Sequence, residues 1–225
     1  MIWMQESVPV QLLINHLFLL YTLDRFERGI KITKLQKIIF LSQWNGNDKG
    51  YQTAGFKFIK YYHGPFSREI DPAIQGLTQN HMVRVSVRPP KGDDPYDSQI
   101  KTIAPLEQSS DMLKTCEPLI RKNRAVFGIF DRIIDYVKDK SLDWILEHIY
   151  QADFHGVSIK DIPLNTVLIT ALQPTEIKEP FKIDPDWVST LEVLFDENTQ
   201  LEIEEGMNAL RKGDILNRTE FSKTL

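Results

Sequence analysis

The stretch Phe56-Lys57-Phe58-Ile59-Lys60-Tyr61-Tyr62-His63-Gly64-Pro65-Phe66-Ser67-Arg68-Glu69-Ile70-Asp71-Pro72 changes its period half way along. From Phe56 to Tyr61 the residues alternate with period two, as in a short half-buried strand whose lysines face water, or one that presents Lys57 and a tyrosine on one face for phosphate contact and base stacking. His63-Gly64-Pro65 breaks the strand. Phe66, Ile70, Ile74 and Leu77 then recur at i, i+4, i+8 and i+11, which places them on one face of a helix. Pro72 would cost a hydrogen bond deep inside that helix, so the helix either starts at Ser67 against this cost or begins with Asp71 as its cap.

Helical patterns flank this stretch on both sides. Upstream, residues 8–24 place Leu12, Leu13, His16, Leu17, Leu20 and Leu23 at amphipathic spacing. A second helix, which Thr33 can cap, carries Leu35, Ile38, Ile39 and Leu41 as far as Asn45-Gly46-Asn47. Downstream, residues 82–87 alternate, residues 89–95 form a turn rich in proline, and residues 99–103 return. That is a β-hairpin with a long tip. Helix, helix, strand, helix and hairpin is the order of a winged helix, with residues 66–80 in the place of the recognition helix and 82–104 as the wing. Apolar helices over about 115–138 and 140–151 complete a helical core. The expected class is α+β, mainly α: a helical core with a small β-sheet and a winged-helix-like hairpin, followed by a helical C-terminal tail. The expected boundaries are 1–160 for the body, 161–185 for a linker with Pro174, Pro180 and Pro185, and 186–225 for an acidic tail. In the tail, Asp184 caps a helix bearing Trp187, Leu191, Leu194 and Phe195, and a further helix carries Ile203, Met207 and Leu210.

Composition narrows the function classes. The 225 residues are 42% hydrophobic and 26% charged, which is ordinary for a folded chain. The apolar run over 10–20 is interrupted by Gln11, Asn15 and His16 and falls short of the roughly 18 residues a membrane span needs. Its flank lacks the basic residues and small-residue cleavage site of a signal peptide, so a cytoplasmic protein without a membrane partner is expected. Cys116 is the only cysteine, which excludes an intrachain disulfide and makes a thiolate zinc site improbable. His16, His63, His81, His148 and His155 show no metal-ligand spacing, and the glycine-rich and nucleophile motifs of dinucleotide, nucleotide and serine-hydrolase chemistry are absent. No metal, no cofactor, no catalytic residue and no small-molecule substrate are expected, and the chain reads as a non-enzyme.

The net charge of −4 hides an asymmetry. Residues 1–160 carry +3 and residues 161–225 carry −7, while residues 31–90 alone carry +6. A basic body with an acidic tail points to an anionic partner, a basic partner, or docking of one part on the other. DNA is the lesser candidate. Arg68, Gln75, Thr78, Gln79 and Asn80 could reach base edges from the 66–80 helix, but Arg68 is its one cation, and Glu69 and Asp71 would face phosphates.

Residues 34–43, beginning Lys34-Leu35-Gln36-Lys37-Ile38-Ile39-Phe40, followed by Tyr61-Tyr62-His63-Gly64-Pro65-Phe66-Ser67 and then Ile70, Ile74, Leu77 and Val83, resemble the Panacea domain, the SocA-like antitoxin family. In that family a K-L-Q-K-L-L-[FY] helix precedes a strand and a [YH]-G-P-[FVY]-S turn into a helix. The resemblance covers about residues 8–150, and residues 141–150 also resemble a helix of the broader YwgA-like relatives. It implies an antitoxin of a bacterial or prophage toxin–antitoxin system that neutralises a cognate toxin, encoded beside it, by direct protein contact. The long wing tip and the extended tail depart from the family pattern. On this reading the partner-binding residues are Tyr62, His63, Gly64, Pro65, Phe66, Ser67 and Arg68 at the turn. The tail adds Trp187, Leu191, Leu194, Phe195, Ile203, Met207 and Leu210, laid into a groove of the partner or packed on the protein's own body.

Overall fold

The computed structural model describes residues 10–89, 100–196 and 205–208. Helix α1 (Val10–Asp24) is the axis of the fold. Its sequence spacing predicts one apolar face, yet Ile14, Phe18 and Leu19 are buried as fully as Leu13, Leu17 and Leu20. A helix buried on most of its circumference belongs inside, and past its first turn α1 is enclosed by the elements that follow, while Leu12, expected on the apolar face, is 39% exposed.

Strand β1 (Ile30–Lys31) leads into α2 (Ile32–Asp48), and α3 (Ile70–Gln79) leads into the hairpin of β4 (Val83–Arg88) and β5 (Ile100–Pro105). The sheet order is β1-β5-β4, all antiparallel, with Ile103 opposite both Ile30 and Val85. Helix, strand, helix, helix, hairpin, with the first strand closing on the second strand of the wing, is a winged-helix arrangement. Gly29 makes that closure work. Its φ is +83°, and a Cβ there would lie 2.9 Å from the Ile103 carbonyl oxygen. Between α2 and α3 the chain inserts a tight hairpin, β2 (Phe58–Tyr61) and β3 (Gly64–Phe66).

Several expectations are corrected. Helix α2 runs through Asn45-Gly46-Asn47 to Asp48, because Gly46 lies buried against Thr53 and its small size suits that contact. Pro72 falls in the first turn of α3, which starts at Ile70 with Glu69 as its cap, so no hydrogen bond is lost. The single helix expected over 115–138 is divided into α5 (Glu117–Lys122) and α6 (Arg124–Val137), and α4 (Glu107–Thr115), which the periodicity did not reveal, precedes them. Asn123 makes the second break. Its side chain spends its hydrogen bonds on Leu119 O and on the backbone of Lys182.

After α7 (Leu142–Gln151) come a small hairpin, β6 (Asp153–Phe154) and β7 (Val157–Ser158), a 3₁₀ turn (Ile159–Asp161) and β8 (Val167–Ile169), which pairs with β2. The expected linker 161–185 is therefore part of the body. Backbone amides of Lys178 and Glu179 donate to Gly50 O, Gln52 N donates to Glu179 O, and Asn123 holds both backbone polar groups of Lys182. Phe181, thus positioned, sits 5.7 Å from the Phe18 ring and 6.1 Å from that of Phe127.

The tail helix α8 (Pro185–Leu194), capped by Asp184 as expected, packs on this same body. Leu191 is 0% exposed, Phe195 is buried with its ring 5.1 Å from that of His16, and Trp187 and Leu194 are half-buried. These anchors do not project toward a partner's groove, because they complete the core beside α1. Met207 is exposed in a helical turn at 205–208, and Ile203 and Leu210 lie outside the described residues.

Leu191→Ala removes a fully enclosed side chain and is expected to cost about 2–5 kcal/mol, read as a fall in Tm, whereas Met207→Ala leaves Tm unchanged. Burial holds the His16 imidazole down to about 4. The unfolded chain therefore takes up that proton at higher pH than the folded one. Stability is expected to be complete above about pH 6.5 and to fall as pH drops toward 4, and His16→Phe should flatten that part of the profile.

Candidate functional site

Two glutamines one heptad apart organise the inner face of α2. Gln43 donates to Phe56 O (2.8 Å) and accepts from Phe56 N (3.2 Å). Gln36 donates to Ser67 O (3.3 Å) and accepts from Ser67 N (2.9 Å). Each amide thus stands in for a neighbouring strand, satisfying both backbone groups of a buried residue. Between them Lys37 reaches under the hairpin and donates to Pro65 O at 2.6 Å. The inserted hairpin is pinned at both ends by side chains of one helix.

The turn at its apex is Tyr62-His63. Gly64 follows in the left-handed region (φ +81°), where a Cβ would meet Leu146 Cδ2 at 3.1 Å. Gly64, Pro65 and Ser67 are buried, and Ser67 Oγ accepts from Glu69 N to start α3. Tyr62, His63 and Arg68 are exposed and Phe66 is half-buried. Tyr61 is 37% and Tyr62 67% exposed, with the Tyr61 ring 4.9 Å from that of Tyr62 and 5.2 Å from that of Phe66. The predicted site residues of this segment separate by role and place. Gly64, Pro65 and Ser67 shape the backbone, while Tyr62 and His63 are exposed at the apex, Phe66 packs on Tyr61, and Arg68 lies at the other end of the hairpin with Lys57 and Glu69.

The lysines of this region do not all face water. Lys57 does, but Lys60 has the opposite parity on the strand and points inward with Phe58. Lys60 is 6% and Lys37 2% exposed. The Lys60 ammonium lies 4.3 Å from the centre of the Tyr150 ring, and the Tyr150 hydroxyl donates across 3.4 Å to Tyr62 O. Burial, and then the neighbouring Lys60 charge, bring Lys37 down to about 7, and burial also lowers Lys60. Sequence reasoning gave no role to Gln36, Gln43, Lys37 or Tyr150. Polar residues at positions 36, 37 and 43 of a helix otherwise rich in buried apolar residues were the signal.

On the winged-helix face, α3 presents Gln75 and Gln79 to solvent, but Asn80 donates to Phe195 O of the tail, and Thr78 bonds back to Ile74 O. Asp71 pairs with Lys101 of the wing at 3.2 Å. Cys116 is buried and its thiol is pushed up to about 12, which keeps it protonated. No described helix is long and apolar enough to cross a membrane.

Compared with known proteins, the sequence matches no family model and no curated protein.

Because Lys37 gives up its proton near pH 7 when folded and near 10.5 when unfolded, the wild type should gain stability as pH rises between these values. Lys37→Met should lack that gain. Denaturant titrations at pH 7 and pH 10 check it: the difference between variant and wild type should move in favour of the wild type at the higher pH.

Proposed function

We propose that the chain is a cytoplasmic, non-catalytic antitoxin of the Panacea type that masks a toxin encoded beside it by direct contact. The observation that carries this reading is the exposed Tyr61–Tyr62 pair on a turn whose backbone is fixed by Gln36 and Lys37. Tyrosine and arginine dominate the energetics of protein interfaces. A turn that is already ordered loses little entropy on binding, so Tyr62 with Tyr61 beside it has the chemistry of an anchor. The K-L-Q-K and H-G-P-F-S motifs that resemble the family then have separate physical jobs. One grips the turn, and the other both shapes it and displays its side chains.

The role of the tail shifts accordingly. With Leu191 and Phe195 committed to the core, the partner-facing part of the tail begins beyond α8, where Met207 is exposed. Cutting the chain at residue 173 would remove Phe181 and Leu191 from the core and would report on folding rather than on the interface.

The test is co-expression and pull-down with the product of the adjacent gene. Tyr62→Ala is expected to weaken binding at least about tenfold, the effect of losing one interface anchor, and to abolish rescue of growth with Tm unchanged. Failure of the full-length chain to bind that product overturns the proposal.

The β1-β5-β4 pairing with α3 alongside favours a second reading, a winged-helix regulator that uses α3 and the wing arginines Arg84 and Arg88 on DNA. Against it stand the absence of cations on α3 and the pairing of Asp71 with Lys101. Binding to the promoter fragment of its own operon, weakening steeply with salt and lost in an Arg84→Ala, Arg88→Ala variant, is the outcome that reading requires.

A further inference from the structure

Helix α2 carries Leu41, Trp44 and Asp48 at i, i+3 and i+7, which puts the three on one face. There α6 brings Tyr136, α7 brings His148 and Ile149, and the β6–β7 hairpin brings Asp153 and His155. Together these side chains line a cavity of about 460 Å³. That volume lies within the roughly 300–1,000 Å³ of pockets that hold a ligand. Leu41 and Ile149, the latter fully buried, form its apolar part.

The rest of the lining is aromatic, and its fixed charge has one sign. Trp44 is half-buried, and Tyr136 is 47% exposed with its ring 5.6 Å from that of His148. Asp48 and Asp153 supply two exposed carboxylates, while the described lining holds no lysine or arginine. Neither carboxylate takes part in an ion pair among the described residues. Asp153 accepts from Gly156 N and so holds its own hairpin turn, and Lys49, one residue beyond Asp48, donates to Asn45 Oδ1. The Lys140 ammonium lies over the Trp144 ring at 5.2 Å, which leaves the rings of Trp44 and Tyr136 without a cation among the described residues.

Aromatic faces attract a cation, and carboxylates match the planar fork of donors on a guanidinium. Among the described residues no three metal-ligating side chains converge, so the chemistry of this lining suits an organic cation with an apolar stem. We propose that the cavity is the docking pocket for one arginine side chain of a protein partner. The aliphatic stem packs on Leu41 and Ile149, the guanidinium stacks on the aromatic wall, and its N–H groups donate to Asp48 and Asp153. The pocket uses none of residues 61–68, so it stands apart from the toxin contact proposed above, and a peptide tests it without the toxin.

The experiment is a titration of the full chain with a capped glycine-arginine-glycine peptide, followed in ¹H–¹⁵N spectra. The Trp44 indole N–H and the amides of residues 153–156 should shift saturably in the millimolar range. The same peptide with citrulline, which keeps the shape of arginine without its charge, should bind at least about tenfold more weakly. Asp48→Asn combined with Asp153→Asn removes both charges, while the amide oxygen at 153 can still accept from Gly156 N. That variant should keep its Tm and lose affinity by a similar factor. Asp143→Asn, which alters an exposed acid of α7 outside the cavity, should bind as the wild type does. No saturable shift with the arginine peptide, equal affinity for the citrulline peptide, or undiminished binding by the double variant overturns the proposal.

Discussion

The reciprocal pair of hydrogen bonds between the Gln36 amide and the backbone of Ser67 is the contact on which the arrangement turns. It fixes where the inserted hairpin re-enters the body and hence where α3 begins, since Ser67 in turn holds Glu69 N. From α3 follow the wing and its closure on β1. Neutral amide-to-backbone bonds are individually modest, about 1 kcal/mol each. Their weight here comes from position: without them a buried N–H and a buried C=O would be left without partners, which costs more than the bonds contribute.

The same device recurs wherever an extended segment crosses the helical body. Gln43 does for Phe56 what Gln36 does for Ser67, Asn123 does it for Lys182, and Asn15 accepts from Gly55 N. At these points the buried backbone groups of segments with little regular secondary structure find side-chain partners. This explains how residues 178–182, with no helical or strand period, are held on the body although most of the segment 170–184 is exposed.

Much of the local structure was legible in the sequence because it follows from periodicity. The alternations read at 56–61 and 82–87 are strands at 58–61 and 83–88, and the spacing of Ile70, Ile74 and Leu77 and the Asp184-Pro185 start of α8 appear where expected. What failed was long-range. Nothing local distinguishes a proline-containing linker from a strap, since the difference lies in Asn123 and Gly50, far away in sequence. Tail anchors such as Leu191 carry the same pattern whether the groove they fill is a partner's or their own. At the candidate site Tyr62 and Arg68, named from the sequence, are exposed, while the burial of Lys37 and Lys60 was not foreseen. A lysine is read as solvated by default, and only the parity of β2 and the depth of α2 reveal these two as enclosed.

The strap formed by residues 178–183 carries a consequence for how the polypeptide is made. Phe181 covers Phe18 and Phe127, and β8 supplies the outer neighbour of β2, so the interior laid down by the first 150 residues stays open on one side until the last quarter of the chain has left the ribosome. The nascent winged-helix portion emerges with aromatic surface uncovered, a state that chaperones and proteases act upon. A chain that ends before Phe181 lacks the side chain that covers Phe18 and Phe127 and cannot close this interior.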